Sequence, residues 1–187
     1  MTSTALLVMD VQQDIVSRFG SDDGYLTRLG TAITAGRDAG VHVIYVVVGF
    51  RPGYPEVSQR NKSFGAIAGT GRFSEGDPGA AIHPAVAPAS GDVVVTKRRV
   101  SAFAGSDLDV VLRSAGIDTL VLTGIATSGV VLSTLRQAAD LDYRLTVLAD
   151  GCRDADPQVH DVLLGKVFPR QAEVLNIAEW SATLRSG

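Results

Sequence analysis

An acidic residue and a lysine stand where two buried strands of the predicted sheet would end. Asp10 directly follows the apolar run Ala5–Met9, and Lys97 follows the predicted strand Asp92–Thr96. A carboxylate placed there costs free energy unless a positive group pairs with it, and Lys97 is the partner that we expect. Such a pair can act as a general acid or base, tuned by its partner and by partial burial. It can equally be an ion pair that only fixes the sheet edge, and position alone favours neither interpretation.

A second candidate is the turn Gly124–Gly129, which follows the fourth apolar run and opens a helix. Free backbone N–H groups at a helix N-terminus can bind an anion or a negative oxygen. A plain helix cap by Thr127 or Ser128 explains the turn as well, and without other support that interpretation is favoured. The glycines do not form a G-x-G-x-x-G pattern, and none follows the first strand, so we expect no dinucleotide cofactor.

The histidines and the cysteine do not form a metal-binding pattern. His42, His83 and His160 do not stand at metal-ligand spacing from one another or from Cys152, so we expect no metal. His160 lies within a helical pattern and is interpreted as a surface or packing residue. Cys152 follows the fifth apolar run, where the role of a small, partly buried apolar residue is favoured over that of a nucleophile.

Short continuous apolar runs predict the strands of a parallel sheet that is buried on both faces. Helical periodicity separates most of them, which is typical of βαβ units whose helices cover both sides of the sheet. Ligands of such sheets bind outside the carboxyl ends of the strands. The predicted strands are Ala5–Met9, His42–Val48, Asp92–Thr96, Thr119–Thr123, Leu145–Ala149, which is followed by Asp150, and the weaker Ala172–Leu175.

Two of the predicted helices carry capping signals at their ends. Ser106 and Asp109 match a capping box before the fourth strand, and Gly116 suits the end of that helix. Asp156 followed by Pro157 predicts a cap with a proline in the first turn. Both helices are therefore expected to begin at these residues.

Residues 51–91 interrupt the alternation of strands and helices, because they contain seven glycines and five prolines. Loops of this length inside a compact domain are often lids or binding segments. A surface excursion or a subunit contact is an equally good interpretation of the same composition.

The bulk composition predicts one globular domain over residues 1–187 and excludes several classes of protein. With 45 % hydrophobic and 20 % charged residues the chain is not disordered, and a net charge of −3 predicts no binding to nucleic acid. No basic start precedes the first apolar run, and no run reaches the roughly 18 apolar residues of a membrane span. A single cysteine agrees with a cytoplasmic protein.

Three segments, in this order and spacing, carry a resemblance to a known family. They resemble the isochorismatase-like hydrolases, or cysteine hydrolase superfamily, which includes nicotinamidases and N-carbamoylsarcosine amidases. The resemblance runs from about Ala5 to Trp180. The segments are Leu6–Gln12, Lys97 with Ser101–Leu108, and Leu120–Thr127.

The resemblance implies a three-layer α/β/α Rossmann-like fold with a central, mainly parallel six-stranded sheet. It also implies a site of an aspartate, a lysine and a cysteine, in which Asp10 and Lys97 match the first two. A cis peptide is implied between Ile125 and Ala126, with the amides of residues 126 and 130 forming an oxyanion hole. The family's cysteine is expected five residues after Ile125, and Val130 stands there.

A valine cannot attack a carbonyl, so thiol-based amide hydrolysis is not expected of this chain. Isochorismatases proper also lack the cysteine and use an aspartate and water to cleave a vinyl ether, but they have a glycine at this position. The nicotinamidase metal motif, an Asp-x-His after the second strand, is absent from Val48–Arg51.

Two functional hypotheses follow from this pattern. In the first, the chain is a hydrolase in which Asp10 performs acid/base chemistry with water on a small molecule. In the second, it is a catalytically degenerate homologue that binds a small molecule or serves as an assembly subunit. The resemblance also implies a homodimer or larger homo-oligomer. Candidate substrate-binding residues are Arg51, Tyr54, Phe103 and Thr127.

Overall fold

The computed structural model describes residues 3–19 and 24–185, and within them the apolar runs form six strands. The strands are all parallel and lie in the order β3-β2-β1-β4-β5-β6. The predicted α/β class with a six-stranded parallel sheet is therefore confirmed. The strands are β1 (Thr4–Met9), β2 (His42–Val48), β3 (Val93–Lys97), β4 (Thr119–Ile125), β5 (Arg144–Arg153) and β6 (Glu173–Leu175).

Helices cover both faces of this sheet and give the fold three layers. Their bounds are α1 (Gln13–Ser17), α2 (Tyr25–Asp38), α3 (Lys62–Gly65), α4 (Leu108–Ser114), α5 (Leu132–Asp140), α6 (Pro157–Val162) and α7 (Ile177–Leu184). Thr127–Val131 and Leu163–Val167 form π-turns, and Pro78–Ala80, Pro84–Val86 and Phe168–Arg170 form short 3₁₀ turns. None of the helices in the described ranges is long and apolar enough to cross a membrane.

The side chains of β1 alternate between two apolar clusters, one on each face of the sheet. Leu7 and Met9 pack with side chains of α4 and α5, whereas Leu6 and Val8 pack with side chains of α2 and α7. Each fully buried aliphatic side chain of this size contributes roughly 1.5–3 kcal/mol of transfer free energy. Because apolar side chains bury both faces of β1, the strand holds the residue that follows it, Asp10, in a fixed position.

The fifth strand is longer than its apolar run predicts. β5 continues beyond Ala149 to Arg153, and Gly124 of β4 pairs with Cys152 after a register shift. Asp150 therefore does not end the strand, and its carboxylate instead accepts a hydrogen bond from the amide of Ile177. Polar residues within a strand do not extend an apolar run, so the predicted end of this strand lies too early in the sequence.

The predicted capping box at Ser106 and Asp109 is wrong. Asp107 occupies the N-cap of α4 without a side-chain cap bond, and the Asp109 carboxylate pairs with Arg113 at 2.9 Å. That pairing four residues along the helix competes for the same carboxylate. The cap at Asp156 is confirmed, because its side chain accepts hydrogen bonds from the amides of residues 158 and 159.

The 51–91 segment packs an aromatic cluster of its own against the end of β2. Phe50, Tyr54, Phe64 and Phe73 are all buried there with Val48. The Phe50 ring contacts those of Tyr54 and Phe64 at centroid distances of 5.7 and 5.6 Å. These side chains anchor the segment to the domain, while most of its other residues are exposed.

The prediction that residues 1–187 form a single domain stays a prediction, and both ends of that range lie outside the described residues.

Candidate active site

The predicted pair meets at the carboxyl edge of the sheet. The Nζ of Lys97 lies 2.9 Å from the Oδ2 of Asp10, so the expectation of an ion pair is confirmed. The strands that carry the two residues are not neighbours, because β2 lies between β1 and β3. Lys97 is paired in register with Val48, the last residue of β2, and its long side chain crosses the end of that strand.

Both members of the pair are withdrawn from water. The side chain of Lys97 is 2 % exposed and that of Asp10 is 9 % exposed. The ammonium of Lys97 also donates to the carbonyl of Arg99 at 2.9 Å. By contrast, the Oδ1 of Asp10 has no hydrogen-bond partner among the described residues. The carboxylate thus has one oxygen held by Lys97 and one acceptor left over.

Burial raises the pKa of Asp10 above its ordinary value, and the charge and hydrogen bond of Lys97 offset part of that rise. A carboxyl shifted in this direction takes up a proton more readily near neutral pH than an exposed aspartate. That property is the one required of a general acid or base.

Backbone geometry and a buried glutamine position the aspartate. Asp10 adopts a positive φ of 57°, and its amide donates to Val46 at 2.8 Å. Two residues on, the fully buried Gln12 accepts from the amide of Val48 at 2.9 Å and donates to its carbonyl at 3.0 Å. It also donates to the carbonyl of Ala80 at 2.7 Å, which ties the 51–91 segment to the sheet edge.

The role of Gln12 is not evident from the sequence pattern. The available signal was a neutral polar residue three positions after the last residue of a buried strand, since an amide side chain can satisfy a neighbouring peptide group as a strand would.

A cavity of about 240 Å³ lies beside the ion pair. The 51–91 segment contributes Phe64, Ile67 and Phe73 to its wall, which supports the interpretation of that segment as part of a binding site. The remaining lining residues are Asp10, Ile15, Arg18, Phe19, Val48, Lys97, Val100, Ile125, Ala126, Gly129 and Val130.

The turn after β4 forms the opposite wall of the cavity. The peptide between Ile125 and Ala126 is cis, as the resemblance implied. The amide of Ala126 donates to no other group in the part of the chain that the structure describes. Gly124 has a φ of 140°, and a Cβ there would lie 2.2 Å from the carbonyl oxygen of Met9. Only glycine lets β4 lie this close to β1 at the start of the turn.

Asp154, which directly follows β5, and His160 of α6 hold this turn. The Oγ1 of the fully buried Thr127 is 2.8 Å from the Nδ1 of His160. The amide of Ser128 donates to the carboxylate of Asp154 at 2.6 Å. His160 is therefore more than a surface or packing residue, and no feature of the sequence pattern indicates that α6 lies against the turn.

Val130 is 2 % exposed and lines the cavity. It belongs to the π-turn Thr127–Val131 that leads into α5. Its isopropyl group contributes a branched apolar surface beside Ala126 and Gly129, with no group that can form a covalent bond to a substrate.

The four predicted substrate-binding residues do not line this cavity. Arg51 is exposed, pairs with Glu56 and lines a separate depression near Arg98. The hydroxyl of the buried Tyr54 donates to the carbonyl of Arg72 at 2.9 Å.

Phe103 and Thr127 are equally withdrawn from the cavity. The ring of Phe103 is buried in the core against Tyr143, and the hydroxyl of Thr127 is bound to His160. The assignment of all four to substrate binding stays a prediction, but the structure gives each of them another contact.

Cys152 lies away from the cavity, inside β5. Its thiol is buried, 3.8 Å from the carbonyl oxygen of Leu122, and burial raises its pKa to about 12. A thiol of that pKa is protonated at neutral pH and is a poor nucleophile.

Cys152→Ala is therefore expected to retain at least about half of any activity that the protein has, with a stability loss of roughly 1–2 kcal/mol from the lost packing. Turnover and urea unfolding of the variant check this. Complete loss of activity in a variant that remains folded would place the thiol in the reaction.

Among the described residues, no group of three or more His, Cys, Asp or Glu side chains is arranged to hold a metal ion. A larger depression of about 680 Å³ lies between α2 and α7, but Asp38 and Arg185 are the only ionisable residues on its wall. The paired and buried acid–base groups are beside the smaller cavity, which is therefore the better candidate for chemistry.

The carboxyl edge of this parallel α/β sheet holds a buried Asp–Lys pair beside a cavity. The cavity wall includes Ala126, whose amide has no acceptor among the described residues. These features define a class of α/β proteins with an enzyme-like site. The family model described as Isochorismatase domain matches residues 4–179. The chain belongs to the isochorismatase family.

Proteins similar to this chain include named hydrolases. Ureidoacrylate amidohydrolase RutB from Stutzerimonas stutzeri is 34 % identical over 199 residues, covering 94 % of this chain and 76 % of the relative. The crystal structure of an isochorismatase family protein from Desulfovibrio vulgaris superimposes with a TM-score of 0.87 at 27 % identity, covering 99 % of this chain and all of the other. N-carbamoylsarcosine amidase from Thermoplasma acidophilum superimposes with a TM-score of 0.73 at 27 % identity, covering 94 % and 97 %.

Proposed function

We propose that this chain is a hydrolase of small molecules in which Asp10 moves the proton and water is the attacking group. The observation that carries the proposal is the buried carboxylate of Asp10, which lines the cavity with one oxygen held by Lys97 and the other without a partner among the described residues. In this scheme the second oxygen, although buried, takes a proton from water that enters the cavity or gives one to a leaving group.

Val130 supports a mechanism without a covalent intermediate. We infer that it occupies the position of the cysteine in related hydrolases, where the thiolate would attack the carbonyl. An isopropyl group has no such chemistry, so a water molecule activated by Asp10 replaces the thiol. The amide of Ala126, with that of Val130, stabilises the negative oxygen that develops on the substrate.

Lys97 has a supporting role in this scheme. Its ammonium lies 2.9 Å from one carboxylate oxygen of Asp10 and is held in place by the carbonyl of Arg99. The fixed positive charge stabilises the carboxylate form whenever Asp10 has released its proton. Lys97 therefore lowers the free-energy cost of ionised Asp10 in the buried site.

The size of the cavity restricts the substrate. About 240 Å³ is below the roughly 300–1,000 Å³ of sites for drug-sized ligands, so the substrate is a small metabolite-like molecule. Two related proteins are an amidohydrolase and an amidase by name, which makes amides and N-carbamoyl compounds the first candidates. Vinyl ethers come next, because isochorismatases without the cysteine cleave that bond.

Asp10→Asn tests the role of the carboxylate. The purified protein is assayed with amides, N-carbamoyl acids, ureas, esters and vinyl ethers, and the best substrate is taken further. Asp10→Asn is expected to lower kcat by at least about 100-fold, because an amide cannot exchange the proton. Asp109→Asn, which removes a carboxylate from an ion pair on α4, is the matched control and should keep full activity.

The pH profile gives a second readout that does not depend on the stability of the variant. Because burial raises the pKa of Asp10, the activity of the native protein should show one limb above the ordinary aspartate range. A limb that rises with pH identifies Asp10 as the base, and one that falls identifies it as the acid. An Asp10→Asn protein with native kcat and the native profile would rule out this mechanism.

The competing candidate is a catalytically degenerate homologue that binds a small molecule or serves as an assembly subunit. The valine at position 130 is the observation that favours it. Binding of a panel compound without turnover by either the native protein or its Asp10→Asn variant would support this second function. Cytoplasmic location and assembly into a homodimer or larger homo-oligomer also stay predictions.

A further inference from the structure

Arg18 brings to the wall of the cavity a positive charge that has no counterion among the described residues. It is exposed, follows the last residue of α1 and lines the cavity together with the Asp10–Lys97 pair. Apart from these three residues, the described lining is uncharged. Because Asp10 and Lys97 compensate each other, the charge of Arg18 gives the lining a net positive charge.

A second arginine nearby, Arg72, differs from Arg18 because an aspartate neutralises its charge. Arg18 and Arg72 both place a guanidinium over the ring of Phe73, at 5.8 and 5.4 Å from its centroid. Arg72 is bound to Asp14 at 3.1 Å. Within residues 3–19 and 24–185, Arg18 forms no ion pair.

The contact with Phe73 leaves the hydrogen-bonding capacity of Arg18 unused. An aromatic face attracts the cation but accepts little from the five N–H groups of the guanidinium. Those N–H groups form a planar fork that matches a carboxylate or phosphate. Stacking on Phe73 also limits the rotamers of the arginine, so less entropy is lost when an anion binds.

We propose that Arg18 binds a carboxylate of the substrate, so that the protein acts on small acids whose anionic end meets Arg18 and whose reacting bond lies against Asp10. The apolar side chains of Phe64, Ile67 and Phe73 hold the part of the molecule between these ends. The inference rests on the proposed function for the identity of the ligand as substrate, but the anion site itself can be measured by binding alone.

Benzoate and benzamide are suitable probes, because they share one shape and differ in charge. Their affinities for the native protein are measured by calorimetry at pH 7.5 and low salt. Benzoate is expected to bind about tenfold more tightly than benzamide, the effect of one charge-assisted contact at a partly exposed site. Added salt should weaken the binding of benzoate and leave that of benzamide nearly unchanged.

Arg18→Gln should remove the preference for benzoate, while Arg72→Gln is the matched control. Arg72→Gln takes away the other guanidinium over Phe73 but should keep the preference within about threefold of the native value, because Arg72 is compensated by Asp14. If Arg18 only packs on Phe73, the two variants will behave alike.

Three results would overturn the proposal: a benzoate preference that persists in Arg18→Gln, equal loss in both variants, or no measurable binding of either probe. These outcomes are separate from those of the hydrolysis assays. A protein that hydrolyses no compound of the panel, yet binds benzoate through Arg18, would lose the proposed function and keep the anion site.

Discussion

Replacing Lys97 by methionine is expected to lower the free energy of unfolding by about 3–5 kcal/mol at neutral pH. The ammonium of Lys97 is almost completely buried and lies 2.9 Å from the carboxylate of Asp10. Methionine keeps the length and much of the apolar bulk of the side chain but removes the charge. Asp10 would then be a buried carboxylate without its cation, and that uncompensated charge is the source of the loss.

The loss of stability should depend on pH in a definite direction. In the folded native protein the pKa of Asp10 is already raised by burial, and without Lys97 it should rise further. A folded-state pKa above the unfolded value means that the folded state holds the proton more tightly. Stability is then highest at low pH and falls as the pH rises through the folded-state pKa. The deficit of Lys97→Met is therefore expected to be larger at pH 8 than at pH 5.

Urea unfolding of the native protein and three variants at both pH values checks this prediction. The double variant Asp10→Asn, Lys97→Met removes both charges and should recover much of the loss, because neither partner is left buried and ionised. Val93→Thr, on a half-exposed side chain of the same strand, controls for the general sensitivity of β3. A Lys97→Met protein within about 1 kcal/mol of the native value at pH 8 would mean that water already solvates Asp10.

The fold was predictable because the buried strands of a parallel sheet are continuous apolar runs. The apolar run before Asp10 begins one residue after β1 and ends at the same residue, Met9, and the run at 42–48 matches β2. The strand ends were less predictable wherever polar residues continue the ladder. β5 continues through Asp150 to Arg153 because its backbone still pairs with β4, and backbone pairing leaves no mark on residue type.

Part of the site was predictable for the same reason. A carboxylate at the end of a buried strand needs a cation to pair with, and Lys97 follows another predicted strand of the same sheet. What the sequence could not give was the set of contacts between distant elements. The hydrogen bond of Thr127 to His160, the clamp of Gln12 on the carbonyl of Ala80, and the insertion of Phe64 into the cavity wall all depend on three-dimensional packing.

Introducing a cysteine at position 130 is expected to create a reactive thiol. Valine and cysteine are similar in bulk, so Val130→Cys should fold with little change in stability. The new thiol would lie in the cavity wall with Asp10 and Lys97, at the turn that leads into α5. Asp10 can accept its proton, while the ammonium of Lys97 and the start of the helix favour the thiolate. Its pKa should therefore fall below the ordinary value of about 8.5.

Alkylation by iodoacetamide at pH 6 measures this effect. In the native protein the buried Cys152 has a pKa of about 12 and provides the baseline. Val130→Cys should react at least about 100-fold faster than that baseline, after allowing for the lower nucleophilicity of a less basic thiolate. The variant is also assayed for slow hydrolysis of an activated ester, which a thiolate attacks readily.

An exposed thiol provides the matched control for the environment of position 130. In a Cys152→Ala background, Val159→Cys places the new thiol on a half-exposed helical position of α6, where it should titrate near 8.5. If Val130→Cys has a lower pKa and reacts faster at pH 6, the groups around Val130 are arranged for thiol chemistry and the chain has lost only its nucleophile. If the two thiols titrate alike, or the one at position 130 titrates higher because it is buried, the site is not arranged for a thiolate. Water-based hydrolysis by Asp10 and simple binding are then the two functions left, and the effect of Asp10→Asn on turnover decides between them.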